Sequence, residues 1–203
     1  MVELLISISV LSLILYSFGL VLSQGEGAYR SAQSMSSLET RSRRAIRRVV
    51  TELNGAGQSI LWPDPANEFG TATLFFRTPV GVTDGAIDWG PLTSLGFDYA
   101  EGELDDGIDN NGNGLVDEGA IVLIRNVGQA DQIRTTICRD VAEFFPGETD
   151  NGADDNGNGV RDEAGFNAHQ VGDMLTVRMA FLDLDAGGRA MTRTSTTSIR
   201  LRN

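Results

Sequence analysis

The first 23 residues, MVELLISISVLSLILYSFGLVLS, constrain this chain more than anything that follows. From Leu4 to Leu22 they carry no charge and no proline. A helix needs about 20 such residues to cross the hydrocarbon of a bilayer. One carboxylate, Glu3, stands at the mouth of the run. An ionisable group in hydrocarbon costs about 2.5–3.5 kcal/mol or more at the centre, and such groups tend to be functional. A cleavable signal peptide would begin with basic residues and have a shorter apolar core. Here no Lys or Arg precedes Arg30. A plain membrane anchor is the simplest alternative.

The apolar run leads, without a proline, into SQGEGAYRSAQSMSSLETRSRRAIRRVVTELNGAG. Met35, Leu38, Ala45, Ile46, Val49, Val50 and Leu53 recur at spacings that place one apolar stripe on a helix. Asn54-Gly55 supplies a stop. The pattern predicts one helix over about 2–54, roughly 80 Å long. Residues 1–23 form its apolar, membrane-spanning part and 24–54 its amphipathic part. Glycine costs about 1 kcal/mol relative to alanine inside a helix. The helix is therefore expected to loosen between Gly19 and Gly27.

Residues 55–203 change character and read as a β-rich head. TATLFFRTPV (71–80) reads as a strand ended by Pro79, and AIDWG and LGFDYA as short strands. AIVLIRN (120–126) is a stronger candidate, and QIRTTICRDVAEFFP (132–146) holds one or two more. Segments 171–185 and 190–203 flank Ala186-Gly187-Gly188 and read as a hairpin. Strands in series after one long helix imply an α+β fold, with the helix packed on an antiparallel sheet.

The string VELLISISVLSLIL resembles the N-terminal helix of type IV pilins and pseudopilins, which carries a glutamate near its start within a motif of the form FTLxELL. Glu3 matches that glutamate, usually the fifth residue of the mature family members. The helix ending in RRxxxELxxAG, the strand LFFRT, the IVLIRN and ICRDVAEF segments and a last strand ending in LRN resemble the PilW-type minor-pilin branch. The resemblance covers nearly the whole chain outside two acidic inserts. It implies a subunit held by its helix in the bacterial inner membrane, then passed by pilus assembly machinery into an extracellular helical filament of copies of itself. It implies that Glu3 pairs with the N-terminal amine of a neighbouring subunit during assembly. Arg41, Arg43, Arg44, Arg47 and Arg48 then form either a solvated helix face or pairs with acidic head loops of a neighbour. A minor pilin or type II secretion pseudopilin at a filament tip is the nearest alternative. A membrane-anchored calcium-binding domain that never polymerises is the alternative of another class.

The two inserts repeat each other 45 residues apart: DGIDNNGNGLVDEG from Asp106 and NGADDNGNGVRDEAG from Asn151. They define loops at 105–119 and 150–165. Each contains D-x-N-x-N-G-x-x-D-E, at Asp109, Asn111, Asn113, Gly114, Asp117 and Glu118, and at Asp154, Asn156, Asn158, Gly159, Asp162 and Glu163. Calcium takes six to eight oxygens at about 2.3–2.6 Å, and a glycine at position 6 lets oxygens at positions 1, 3 and 5 converge. Position 7 offers the backbone carbonyl of Leu115 or Val160. The pattern resembles EF-hand-like and thrombospondin-type calcium loops. The bidentate glutamate of position 12 is replaced by Ala120 or Gly165, so Glu118 and Glu163 are expected to substitute, with Asp106 or Asn151 as further candidates. Asparagine at positions 3 and 5 lowers the ligand charge and predicts weak binding, about 10⁻⁴–10⁻³ M. Two structural Ca²⁺ ions are expected, holding loops that lack an apolar anchor. Solvated Asn-Gly and Asp-Gly turns without metal are the alternative.

Composition excludes other roles. The formal net charge is −12 and every basic residue is arginine. A chain this acidic is a poor non-specific partner for nucleic acid. The single Cys138 excludes an internal disulfide. No CxxCH motif is present, so no c-type haem is expected. His169 is the only histidine and is expected in a surface loop. Without a catalytic set, no enzyme is expected. Cys138 reads as a buried strand residue, and Trp62 and Trp89 as packing residues of the core or head surface.

Overall fold

The computed structural model describes residues 2–57 and 60–201. One helix, α1 (Val2–Leu53), is followed by β1 (Thr73–Phe76), β2 (Pro79–Thr83), β3 (Ala86–Trp89), β4 (Thr93–Tyr99) and β5 (Gly119–Arg125). Then come β6 (Ile133–Val141), β7 (Phe166–Val171), β8 (Met174–Leu184) and β9 (Ala190–Arg200). The architecture is α+β, and every strand pair is antiparallel. The helix stops at the Asn54-Gly55 pair, as expected.

The two parts of α1 differ sharply. The described large apolar side chains from Val2 to Leu22 are all exposed. This is the one helix, among the described residues, long and apolar enough to cross a membrane. Further along, Leu38, Ala45, Val49 and Leu53 are buried in the core of the head with Leu95, Ile121, Leu123, Val177, Met179 and Phe181. Ser42 is buried in the same stripe, its hydroxyl donating to the Glu39 carbonyl at 2.9 Å. Met35, expected in the stripe, is exposed. The expected loosening between Gly19 and Gly27 is absent, and the helix runs unbroken through all three glycines. Open space surrounds each of them, so a helix exposed on every side asks no bend of them.

A seven-stranded sheet forms the head, in the order β1-β4-β5-β6-β8-β7 with β9 also on β8. β9 pairs with β8 along its whole length. The opposite edge of β8 is shared by β7, over Met174–Met179, and by β6, at the single pair Val141↔Phe181. β6 and β8 therefore fork apart beyond that pair, and α1 lies against β6, β8 and β9. Arg41 of α1 fills the fork. Its guanidinium donates to the Asp140 carboxylate and, at 2.6 Å, to the Leu182 carbonyl, with Asp183 3.9 Å away. Arg41 is therefore not on a solvated helix face. Arg43 pairs with Glu39 at 2.6 Å and Arg48 with Glu52 at 2.9 Å, whereas Arg44 and Arg47 are exposed.

Several strands depart from expectation. Pro79 begins β2 instead of ending a strand, and β2 and β3 form a separate exposed hairpin. β7 was not expected at all, and it places His169 in a strand opposite Thr176, not in a loop. Trp62 is exposed and Trp89 half-buried. Cys138 is buried in β6, and burial pushes its thiol up to about 12, so it is not nucleophilic near neutral pH.

Candidate functional site

The two acidic repeats fold into the same structure, joining β4 to β5 (loop 1, 102–119) and β6 to β7 (loop 2, 147–165). At position 1, Asp109 Oδ1 accepts the amides of Gly112 at 2.6 Å and Asn113 at 3.1 Å, and Oδ2 that of Gly114 at 2.8 Å. Asp154 does the same with Gly157 at 2.7 Å, Asn158 at 3.0 Å and Gly159 at 2.8 Å. The amide oxygens of Asn111 and Asn156 accept the amides of Asn113 and Asn158, each at 3.0 Å. Those of Asn113 and Asn158 accept the amides of Leu115 and Val160 at 2.8 and 3.0 Å. Gly114 and Gly159 sit at φ +91° and +89°, where a Cβ would be strained, so position 6 is glycine in both. Asp117 and Asp162 themselves take positive φ. Each closes its loop by accepting an amide at the start: Gly107 at 2.9 Å for Asp117, Gly152 at 2.8 Å for Asp162.

The loops do not lack apolar anchors, contrary to expectation. Leu115 and Val160 are buried, at 6% and 0% exposure, and pin position 7 of each loop to the head. Burial at these positions explains why both are aliphatic, and a cation is not required to keep the loops against the sheet.

Two glutamates outside the expected motif complete the arrangement. Glu103 Oε1 accepts the Asn111 amide at 2.7 Å, and Glu148 Oε1 accepts the Asn156 amide at 3.0 Å. Both are buried, at 5% and 6% exposure, and the second carboxylate oxygen of each has no hydrogen-bond partner. At position 10, Glu118 is also buried. Its Oε1 accepts the side-chain amides of Asn111 at 2.8 Å and Asn113 at 2.6 Å, and its Oε2 is left without a partner. A buried carboxylate oxygen without a hydrogen-bond partner is costly, and a cation is one group that could satisfy it. The signal for these glutamates was present: Gly102-Glu103 and Gly147-Glu148 stand at the same spacing of 45 as the rest of the repeat.

The loops diverge at position 10. Glu163 Oε1 accepts from Arg178 Nη1 at 3.0 Å and Oε2 from Asn158 at 2.6 Å, so both its oxygens are occupied. Glu118 makes no ion pair among the described residues. Near loop 1, the hydroxyl of Tyr99 donates to Glu143 at 2.7 Å. Burial, and then the charges of Asp105 and Asp117, hold the Glu143 carboxyl above its ordinary range against the opposing pull of Tyr99. The main chain of Glu143 clamps loop 2, accepting the Gly165 amide at 2.6 Å. One residue thus faces loop 1 with its side chain and loop 2 with its backbone.

The further candidate ligands are turned inward. Asp106 Oδ1 accepts from Ile108 at 3.0 Å and from Asn110 at 2.8 Å, and Asn151 Oδ1 accepts from Ala153 at 2.7 Å. Among the described residues, no three His, Cys, Asp or Glu side chains stand close enough together to hold a metal as they lie. Each loop is a closed net of Asx turns, with the buried carboxylates of Glu103 and Glu118 in the first and of Glu148 and Glu163 in the second. Glu3, the other singled-out residue, lies exposed in the first turn of α1, where a carboxylate complements the positive end of the helix dipole. Comparisons of the chain with protein-family models, with curated proteins and with solved structures found no match.

Proposed function

We propose that this chain is a structural subunit of an extracellular type IV pilus-like filament. The observation that carries the reading is the division of α1 into an amphipathic half buried against its own head and an apolar half whose described large apolar side chains are all exposed. About 20 apolar residues held in a rigid rod need lipid before assembly and other apolar helices after it. The inner membrane supplies the first, and copies of the same helix in a filament core supply the second. Glu3, at the tip of the rod, directs the addition of each subunit by pairing with a neighbour's terminal amine. Such a pair gains strength in the low dielectric of a helix bundle, and desolvation offsets part of the gain. Glu3→Ala is expected to abolish filaments while leaving membrane insertion intact. Filaments assembling at the normal level from this variant would refute the role of Glu3.

The head's loops are read as two structural calcium sites. The unpartnered buried oxygens of Glu103, Glu118 and Glu148 support this. Those glutamates, with Asn111, Asn113, Asp117 and their loop 2 counterparts, would hold the ion. Calcium would supply charge neutralisation, not chemistry. With dissociation constants of about 1 mM, 10 mM calcium stabilises each site by about 1.4 kcal/mol. Thermal unfolding of the full chain in detergent is expected to rise by a few degrees over a chelator control. An unmoved midpoint would leave the loops as metal-free turns.

A further inference from the structure

The two loops share one backbone conformation but not one charge environment. Loop 1 (102–119) contains six carboxylates and no basic residue. Beneath it lie two buried carboxylate oxygens without partners, Glu103 Oε2 and Glu118 Oε2. Both glutamates converge on Asn111, one through its backbone amide and the other through its side-chain amide. Loop 2 (147–165) also has six carboxylates, but it holds Arg161, which pairs with Glu68 at 3.3 Å. The Arg178 guanidinium reaches its Glu163 from β8. Glu163 is fully buried and Arg178 is only 18% exposed, so water screens this pair weakly. One unpartnered oxygen remains there, Glu148 Oε2. Arg134 and Arg139 line a cavity of about 490 Å³ beside Glu118. Arg134 is held by Asp98, and Arg139 is exposed.

We propose, building on the reading of both loops as calcium sites, that the sites are unequal. Loop 1 takes a hard divalent cation at lower concentration, through Glu103 and Glu118. At loop 2 the guanidinium of Arg178 already neutralises one carboxylate and weakens the site. The backbone conformation does not produce the difference, since the side-chain oxygens at positions 1, 3 and 5 accept the same backbone amides in both loops. Calcium suits loop 1 better than magnesium, because it accepts irregular sets of six to eight oxygens while magnesium demands a near-ideal octahedron.

The test is a calorimetric calcium titration of the full chain in detergent micelles, for the unaltered protein, Glu103→Gln, Arg178→Gln and Arg178→Lys. The unaltered protein is expected to bind in two steps. Glu103→Gln is expected to remove the tighter step and keep the weaker. Arg178→Gln is expected to tighten the weaker step roughly tenfold, the scale set by one partly buried charge, and Arg178→Lys to leave it near its place. Two equal sites in the unaltered protein would overturn the inequality, a result that needs no variant to fold. So would an Arg178→Gln protein of unchanged circular dichroism whose weaker step had not moved. Either outcome leaves the calcium reading standing. Absence of any calcium heat in the unaltered protein would overturn the calcium reading, and the inequality with it.

Discussion

The two halves of α1 are made of one unbroken helix, yet they meet the rest of the molecule in opposite ways. Between Leu38 and Leu53 the apolar side chains fall on one stripe, and the sheet covers it. Between Val2 and Leu22 they surround the helix, and no described residue of the head covers them. A stripe can be satisfied by one partner on one side. A helix apolar all round needs surroundings on every side, which a head of this size at one end cannot supply. The difference teaches that the fold of the head and the fate of the first half are separate problems. The head closes its own core, while the described apolar side chains of the first half stay exposed.

Substitutions that treat the two halves differently sharpen this comparison. The largest effect is expected from Leu53→Ala, which opens a cavity at a fully buried position and costs the head about 2–5 kcal/mol. Denaturant unfolding in detergent measures it, and a loss below about 1 kcal/mol would mean the stripe does not anchor the helix. Arg41→Met is expected to cost less, about 1–2 kcal/mol, because the guanidinium is about one-third exposed while its partners, Asp140 and the Leu182 carbonyl, lose their donor. The same unfolding measurement checks it. A null result would show that the fork between β6 and β8 needs no clasp. Leu13→Ala, in the exposed half, is expected to change head stability by less than about 0.5 kcal/mol. A larger change would mean that the halves are coupled after all.

How much of this was legible in the sequence follows the range of the forces involved. The helix, its stop at Asn54-Gly55 and the C-terminal hairpin are set by local pattern, and they lie where periodicity puts them. The repeated loops were legible because Asn, Asp and Gly encode their own turns within a few residues. Their lower edge shows in the sequence only as the repeat spacing of Gly102-Glu103 and Gly147-Glu148, because these glutamates act across the loop, on Asn111 and Asn156 eight residues further on. Strand β7 (FNAHQV) has little β-branched content and owes its place to pairing with β8. The inward turn of Arg41 depends on the fork between two strands some 40 residues apart in sequence, which no local pattern records. Ser42 sits in the buried stripe because a small side chain fits where α1 packs on the head, though its polarity hides it from a hydrophobic pattern.

Electron microscopy of the purified chain after detergent removal tests whether it polymerises through the exposed half of α1. Helical fibres in which this chain repeats are expected, with the apolar helices in the core and the heads outside. Uniform single particles or vesicle-bound monomers, from protein whose head is folded, would contradict it and leave an anchored, non-polymerising domain.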